Sequence, residues 1–399
     1  MSNIQKIIVD SIKKDKSSYK ESGYYSQAIN NAAYAVFAWA VPSVINACGL
    51  KLSMCLGVLI NILFIFQFLL EEVWILYTFC GLAGMGCAIL WIGEGDYLAQ
   101  NSSDKTINRN TAIFSTIVNS SMIVGNIIVL CSFSGKEKIN RNTRILLLTI
   151  LAGACAVGLV IMLFLPKHKP KEKDSKDSGV IGPVDSILNA LKLFCTRNML
   201  LLSCLFLYGG LEYAFFNGIY SSAIGFTKVL DNRKQLVGMS GVFVGIGEIF
   251  AGGVISIFGK QVADLGRRVL VVVAFFIHSM SFILIFINLP NDSPFGDTDQ
   301  AAIIESSSVL AMFCSFLLGL GDCIYVNVIV SLLGTVYSEN TFSGFAIYQF
   351  FIGVGIVISF ISATFIGLYY QLLILFVLCV VSAACLLIVD ASCKQKVLK

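Results

Sequence analysis

Three carboxylates stand where carboxylates are costly. Glu212 in YGGLEYAFFNGIY, Glu248 in VGIGEIFAGG and Asp322 in LGLGDCIYVN each sit near the middle of a long apolar run. A charge at the centre of a lipid-spanning helix costs about 2.5–3.5 kcal/mol on insertion scales, so such residues are functional candidates by default. No Lys or Arg lies at matching depth in those runs. The acids must face a hydrated cavity or carry protons, and an acid that exchanges a proton at mid-membrane is what proton coupling needs. The competing reading is a structural carboxyl, protonated and bonded to a neighbouring helix. Asn217 and Asn327 stand at similar depth, as further polar lining or as interhelical glue. Tyr208, Phe216 and Tyr220 fall at −4, +4 and +8 from Glu212, on one helical face. An acid in such a stripe can hold an organic cation, although packing between helices is the commoner use of a stripe of this kind.

A second constellation is the loop Gly259-Lys-Gln-Val-Ala-Asp264-Leu-Gly266-Arg267-Arg268. An Asp followed by Gly-Arg-Arg in a tight turn between two spans can form a charge network that locks one conformation and breaks in another. A plain basic anchor accounts for Arg267 and Arg268 but not for Asp264 or Gly266. Gly241 and Gly245 form a G-x-x-x-G ahead of Glu248, which lets helices approach closely. His278, alone in an apolar helix, reads as a packing residue. Asn291-Asp292-Ser293 is a glycosylation sequon, weakened by Pro294. No nucleophile elbow, Walker A loop or metal-ligand cluster is present, so no catalytic residue, metal or cofactor is assigned and the chain does not read as an enzyme.

The elements that must carry these residues follow from composition. Of 399 residues 57% are hydrophobic and only 13% are charged, against about 25% charged in an average globular chain. So little charge cannot coat a globule in water, and the excess apolar surface must face lipid. A soluble enzyme, a disordered chain and a disulfide scaffold are excluded together. A net charge of +4 is too small to imply a nucleic-acid partner. Most of the 13 cysteines lie within or at the ends of apolar runs and none is in a C-x-x-C pair, so they read as small hydrophobes. The expected partners are the lipid bilayer and a small-molecule or ion substrate, with a membrane-protein partner as a further option.

Eleven runs are apolar and long enough to cross a bilayer: 26–48, 52–70, 73–93, 110–133, 145–165, 198–225, 237–258, 269–289, 308–336, 342–366 and 368–389. The expected organisation is a polar N-terminal segment 1–25, a five-helix half 26–165, a basic linker 166–197, a six-helix half 198–389 and a tail 390–399. A short surface helix is expected late in the linker. With the linker in the cytoplasm, cytoplasmic segments carry 16 Lys and Arg and the opposite loops 7. The five lysines of the N-terminal segment fall on the wrong side, as expected if a span preceding Met1 is missing from the chain. An internal repeat supports two halves: LAGMGCAILWIGEGDYL at 82–98 shares its Gly-x-Gly opening with LLGLGDCIYVNVIVSLL at 317–333, an offset of 235.

Two halves, a long basic central loop and G-x-x-x-x-D-x-G-R-R between two helices of one half resemble the major facilitator superfamily. ESGYYSQAI, LWIGEGDYL, GLEYAFFNGIY, GMSGVFVGIGEIFAGG, SFLLGLGDC and LGTVYSENTFSGFAIYQF resemble its uncoordinated-93-like branch, over nearly the whole chain. The resemblance implies an all-α, polytopic, two-half bundle with 11 of an expected 12 spans. It also implies alternating access, a site at the midplane, and an absent first helix, with Met1–Gly23 matching the loop after it. In the first half Gly49-Leu50-Lys51 stands where the Asp-x-Gly-Arg-Arg loop would be. The expected function is a secondary transporter or facilitator of a small solute, with Glu212, Glu248, Asp322, Asn217 and Asn327 as binding or proton-coupling groups. Asp264, Gly266, Arg267 and Arg268 would form the cytoplasmic gate. The alternative is a non-transporting regulator, a channel subunit or trafficking partner.

Overall fold

With no water to satisfy peptide groups in lipid, an apolar chain of this kind must satisfy them internally, and it does so in helices. The computed structural model describes residues 2–101, 107–136, 139–166, 191–337 and 341–397. Its helices are α1 (Ser2–Asp15), α2 (Tyr24–Phe37), α3 (Val41–Cys48), α4 (Leu50–Phe66), α5 (Val73–Gln100), α6 (Ile107–Phe133) and α7 (Arg141–Leu163). After the linker come α8 (Arg197–Phe226), α9 (Arg233–Ile257), α10 (Gly259–Asn288), α11 (Ser308–Val336), α12 (Thr341–Ser362) and α13 (Leu368–Val397). Among the described residues the only β-pairing is an isolated bridge between Thr227 and Thr298.

Nine helices among the described residues are long and apolar enough to cross a membrane: α4, α5 and α7 to α13. The other two apolar runs are helical without being single long spans. Run 26–48 breaks between α2 and α3 over 38–40, just ahead of the proline in the first turn of α3. Proline lacks the N–H that would continue the α2 ladder. In α6 the stretch Ser120–Phe133 is apolar but short. Most of the linker, 167–190, lies outside the described residues, including most of the expected surface helix.

The N-terminal segment departs from expectation. Read as a polar loop, it forms the amphipathic helix α1, in which Ile4, Ile7, Ile8, Val9 and Ile12 are at most 1% exposed. Lys6 is buried as well, its ammonium 5.2 Å from the centre of the Tyr24 ring. Apolar residues at positions 4, 7, 8 and 12 carry helical spacing, which the interspersed lysines mask in any count of charge.

Contact density divides the chain into an amino-terminal unit, Gln5–Ser121 with Lys138–Val180, and a carboxy-terminal unit, Met1–Ile4 with Met122–Glu137 and Ile181–Lys399. In the amino-terminal unit α5 packs against α2 and α4, and α4 against α7. In the carboxy-terminal unit α11 packs against α9 and α10, while α8 packs against α12 and α13. The repeated Gly-x-Gly explains the common pattern. A Cβ on Gly84 of α5 would lie 2.0 Å from the Asn30 carbonyl oxygen of α2, and one on Gly86 3.0 Å from the Gly57 carbonyl oxygen of α4. On α11, a Cβ on Gly319 would lie 2.1 Å from the Val244 carbonyl oxygen of α9, and one on Gly321 2.2 Å from the ring of His278 on α10. In each unit one glycine admits a neighbouring backbone and the other a second helix.

Candidate functional site

Five helices of the carboxy-terminal unit converge on Glu212. Its carboxyl is 1% exposed on α8. Asp322 of α11 lies within hydrogen-bonding reach of it, and Glu248 of α9 is close enough to both acids to interact electrostatically. Asp322 and Glu248 are half-buried while Glu212 is buried behind them. Glu212 is thus the most deeply enclosed of the three acids. Bringing Asp322 and Glu248 together depends on the close contact of α9 and α11, where a Cβ on Gly247 would lie 2.2 Å from the Phe316 carbonyl oxygen.

Behind Glu212 stands His278, 0% exposed, with Nε2 3.5 Å from Glu212 Oε1. Its Nδ1 is 2.6 Å from the Tyr208 hydroxyl. Tyr208 packs edge-on against Tyr325 of α11, whose hydroxyl donates to Ser382 Oγ of α13 at 2.5 Å. His278, expected to pack, thus stands inside a polar chain. In the sequence its distinguishing mark is rarity: it is one of only two histidines, and the one set among mid-membrane acids. The rest of the aromatic stripe packs as expected of the commoner use: Phe216 meets Tyr213 edge-on, and Tyr220 stacks on Phe215 while donating to the Ala311 carbonyl. Helix α8 also carries a π-helical turn, Phe215–Tyr220, one turn beyond Glu212. Such turns occur frequently at functional sites, and no spacing rule applied to the sequence anticipates it.

The asparagines divide. Asn217 lies half-buried in the π-turn. Asn327 is exposed, and its amide donates to the Cys323 carbonyl of its own helix, so it does not join the acids. Gly241 and Gly245 admit α6: a Cβ on the first would meet the Asn126 side chain and one on the second Ile123. Asn291 has a structural duty, because its Oδ1 accepts from the Tyr369 N–H and its backbone oxygen from the Leu368 N–H at the start of α13. Ser293 of the same sequon is fully buried.

The expected gate is wired differently. Arg267 and Arg268 both pair with Asp390 near the end of α13, at 3.4 and 2.6 Å, and Asp390 is 2% exposed. Asp264 is exposed. Gly266, with φ 78° and ψ 160°, turns the chain between the loop and the span, a conformation that favours glycine. All partners belong to one unit, so the ion pairs staple the loop to the last span. The Asp390→Asn variant is expected to lose about 2 kcal/mol, the value of charge-assisted hydrogen bonds, while Asp264→Asn changes stability by less than about 0.5 kcal/mol, as ordinary surface substitutions do. Unfolding of the purified full chain measures both.

A buried charge cluster that sequence reading missed lies in the amino-terminal unit. Arg144, counted above as a loop charge, is 2% exposed. It pairs with Asp15 at 2.6 Å and Glu71 at 3.0 Å and donates to Ser11. Lys16 pairs with Glu72 and donates to the Glu71 carbonyl. Nearby, Glu21 Oε1 accepts from the Gly23 and Ser26 N–H groups and the Tyr77 hydroxyl donates to Oε2. Burial, reinforced by Glu21, pushes the Tyr19 phenol well above its ordinary value.

Comparison with known proteins places this architecture. Residues 15–387 match the family described as ion channel regulatory protein UNC-93. The UNC93-like protein MFSD11 of Xenopus laevis is 33% identical over 392 residues, covering 94% of this chain and 87% of its own length. UNC93-like protein 3 of Arabidopsis thaliana is 23% identical over 390 residues, covering 90% and 77%. Among solved structures, the nucleoside transporter NupG superposes with a TM-score of 0.68 at 15% identity, covering 97% of this chain and 95% of that one. A bacterial homologue of the human drug peptide transporters PepT1 and PepT2 superposes at 0.61 with 14% identity, covering 99% and 94%. At these identities the structural likeness speaks for the fold alone, that of the major facilitator transporters. This is an integral, multi-pass membrane protein of that fold, and the chain belongs to the UNC-93 family.

Proposed function

We propose that the protein is a secondary transporter that moves a small solute by alternating access and couples that movement to protons at Glu212, Asp322 and Glu248. The observation that carries this reading is the graded burial of the three acids, from two half-buried carboxyls to one enclosed with a histidine. An acid buried at mid-membrane is costly, and a group that must be neutral to be buried and charged to be exposed is suited to coupling. The fold shared with a nucleoside transporter and a peptide-transporter homologue is compatible with this reading without naming a solute. The test loads proteoliposomes from a soluble small-molecule extract of cells under an inward proton gradient. Mass spectrometry then reads which solutes accumulate relative to protein-free vesicles. Gradient-dependent accumulation of at least one solute is expected, and its absence from every fraction would sink the transporter reading.

A second reading, a non-transporting regulator, is favoured by the description of the matched family as an ion channel regulatory protein. It requires a membrane partner. Stoichiometric recovery of one channel or receptor with the protein from native membranes, together with no flux, would establish it.

A further inference from the structure

Two buried atoms at the site lack a well-formed hydrogen bond among the described residues, and they face each other: Glu212 Oε1 and His278 Nε2. A neutral imidazole has one donor and one acceptor nitrogen, and the bond at one fixes the role of the other. At Nδ1 the partner is the Tyr208 hydroxyl, 2.6 Å away. A phenol is a better donor and a poorer acceptor than an imidazole nitrogen. With Tyr208 as the donor, Nδ1 is the acceptor and the ring proton is left to Nε2. The group that faces Nε2 agrees, since Glu212 Oε1, 3.5 Å away, can accept from it. Gly321 leaves the space for the ring edge, because a Cβ there would lie 2.2 Å from Nε2 and Cδ2.

We propose that Tyr208 and His278 are positioning residues for the acid pair: Tyr208 holds the imidazole in its Nε2–H form, that N–H is aimed at Glu212 Oε1, and the other Glu212 oxygen shares one proton with Asp322. This rests on the reading of Glu212 as a coupling acid and adds how a fully enclosed carboxyl can change charge. When the shared proton passes to Asp322, the O–H bond at Glu212 breaks and one at Asp322 forms. Negative charge moves from the half-buried acid to the buried one, and no other group gains or loses a proton. The charge arriving on Glu212 meets a donor already in place. The ionisable groups around this ring are Glu212 and Tyr208 of α8, Asp322 and Tyr325 of α11 and Cys379 of α13, with Glu248 of α9 beyond Asp322.

The chain has only two histidines, so nitrogen-15 NMR of the histidine-labelled full-length protein in lipid vesicles can read the tautomer directly, with His168→Ala identifying the linker signal. The expected His278 spectrum has a protonated Nε2 and an unprotonated Nδ1. Tyr208→Phe is expected to redistribute the proton between the nitrogens, whereas Glu212→Gln, which keeps an acceptor oxygen, leaves it on Nε2. A proton found on Nδ1 in the unmodified protein, or a Tyr208→Phe spectrum identical to it, overturns the proposal whether or not the protein transports. Where flux is measurable, His278→Gln, whose amide can place a donor near the Nε2 position, is expected to retain uptake within about threefold, and His278→Asn, whose shorter amide cannot, to lose about tenfold. Equal losses in the two variants would reduce His278 to a packing residue.

Discussion

Glu212→Gln is expected to abolish proton-driven accumulation while sparing exchange. Glutamine matches glutamate in shape, keeps an oxygen for the His278 N–H and keeps a partner for Asp322, so the packing around α8 survives. What it cannot do is bind and release a proton. With one-to-one coupling, a gradient of one pH unit stores about 1.4 kcal/mol and supports about tenfold accumulation. In Glu212→Gln proteoliposomes that ratio should fall to about one under the same gradient. Exchange of a solute across vesicles at equal pH should continue within about threefold, because exchange needs binding and conformational change but no net proton movement. Gradient-driven accumulation that survives the substitution would remove Glu212 from the coupling role. Loss of exchange together with accumulation would make it a structural carboxyl. Glu248→Gln should show a smaller defect, since Glu248 is less enclosed than Glu212 and is set apart from His278.

The largest stability effect is expected at Arg144. Its guanidinium is buried and joins the end of α1, through Asp15 and Ser11, to the α4–α5 connection, through Glu71. Glu71 has φ 52°, a left-handed conformation uncommon for a residue with a side chain. Such strain, of order 1–3 kcal/mol, persists only where the surroundings hold it. Here the holders are Arg144 on its carboxylate and Lys16 on its carbonyl. Arg144→Leu fills the volume but leaves Glu71 charged and partly buried, and breaking a buried pair this way costs about 3–5 kcal/mol. Adding Glu71→Gln should recover about 1–2 kcal/mol, because the partner left to Glu71, Arg141 at 3.9 Å, is exposed and replaces Arg144 only weakly. All three tryptophans, Trp39, Trp74 and Trp91, lie in the amino-terminal unit. Tryptophan fluorescence during detergent-driven unfolding therefore reports this unit selectively. A loss below 1 kcal/mol would show the cluster to be solvated in the membrane-embedded protein.

How much of this was legible depended on whether the information lay within one helix or between helices. The spans were legible because lipid demands about 20 apolar residues in a row. The exceptions have local causes: the proline that opens α3 divides one run, and lysines hid the apolar face of α1. The Gly-x-Gly repeat was legible as a pattern, and in each unit it marks the same kind of close approach. What stands beside the second glycine differs. In the amino-terminal unit it is Asn61, within reach of the Cys87 thiol; in the carboxy-terminal unit it is His278, with Asp322 as the next residue of α11. The ionisable cluster thus belongs to one unit even though the helices around it repeat.

The sequence by itself determined the solvent, the number of apolar runs and the three acids, because each rests on the cost of placing one residue type in lipid. It also pointed to the basic loop Arg267-Arg268, but it paired those arginines with Asp264, their neighbour in the chain. Tertiary structure decided the pairing, bringing Asp390 to them from more than a hundred residues away. It likewise decided that Glu212 meets His278 and Asp322 while Asn327 turns back on its own helix. Hydropathy is a property of single positions and survives in a linear reading. A hydrogen bond between helices depends on rotation and depth, which here were set by the glycines that let α9, α10 and α11 close together.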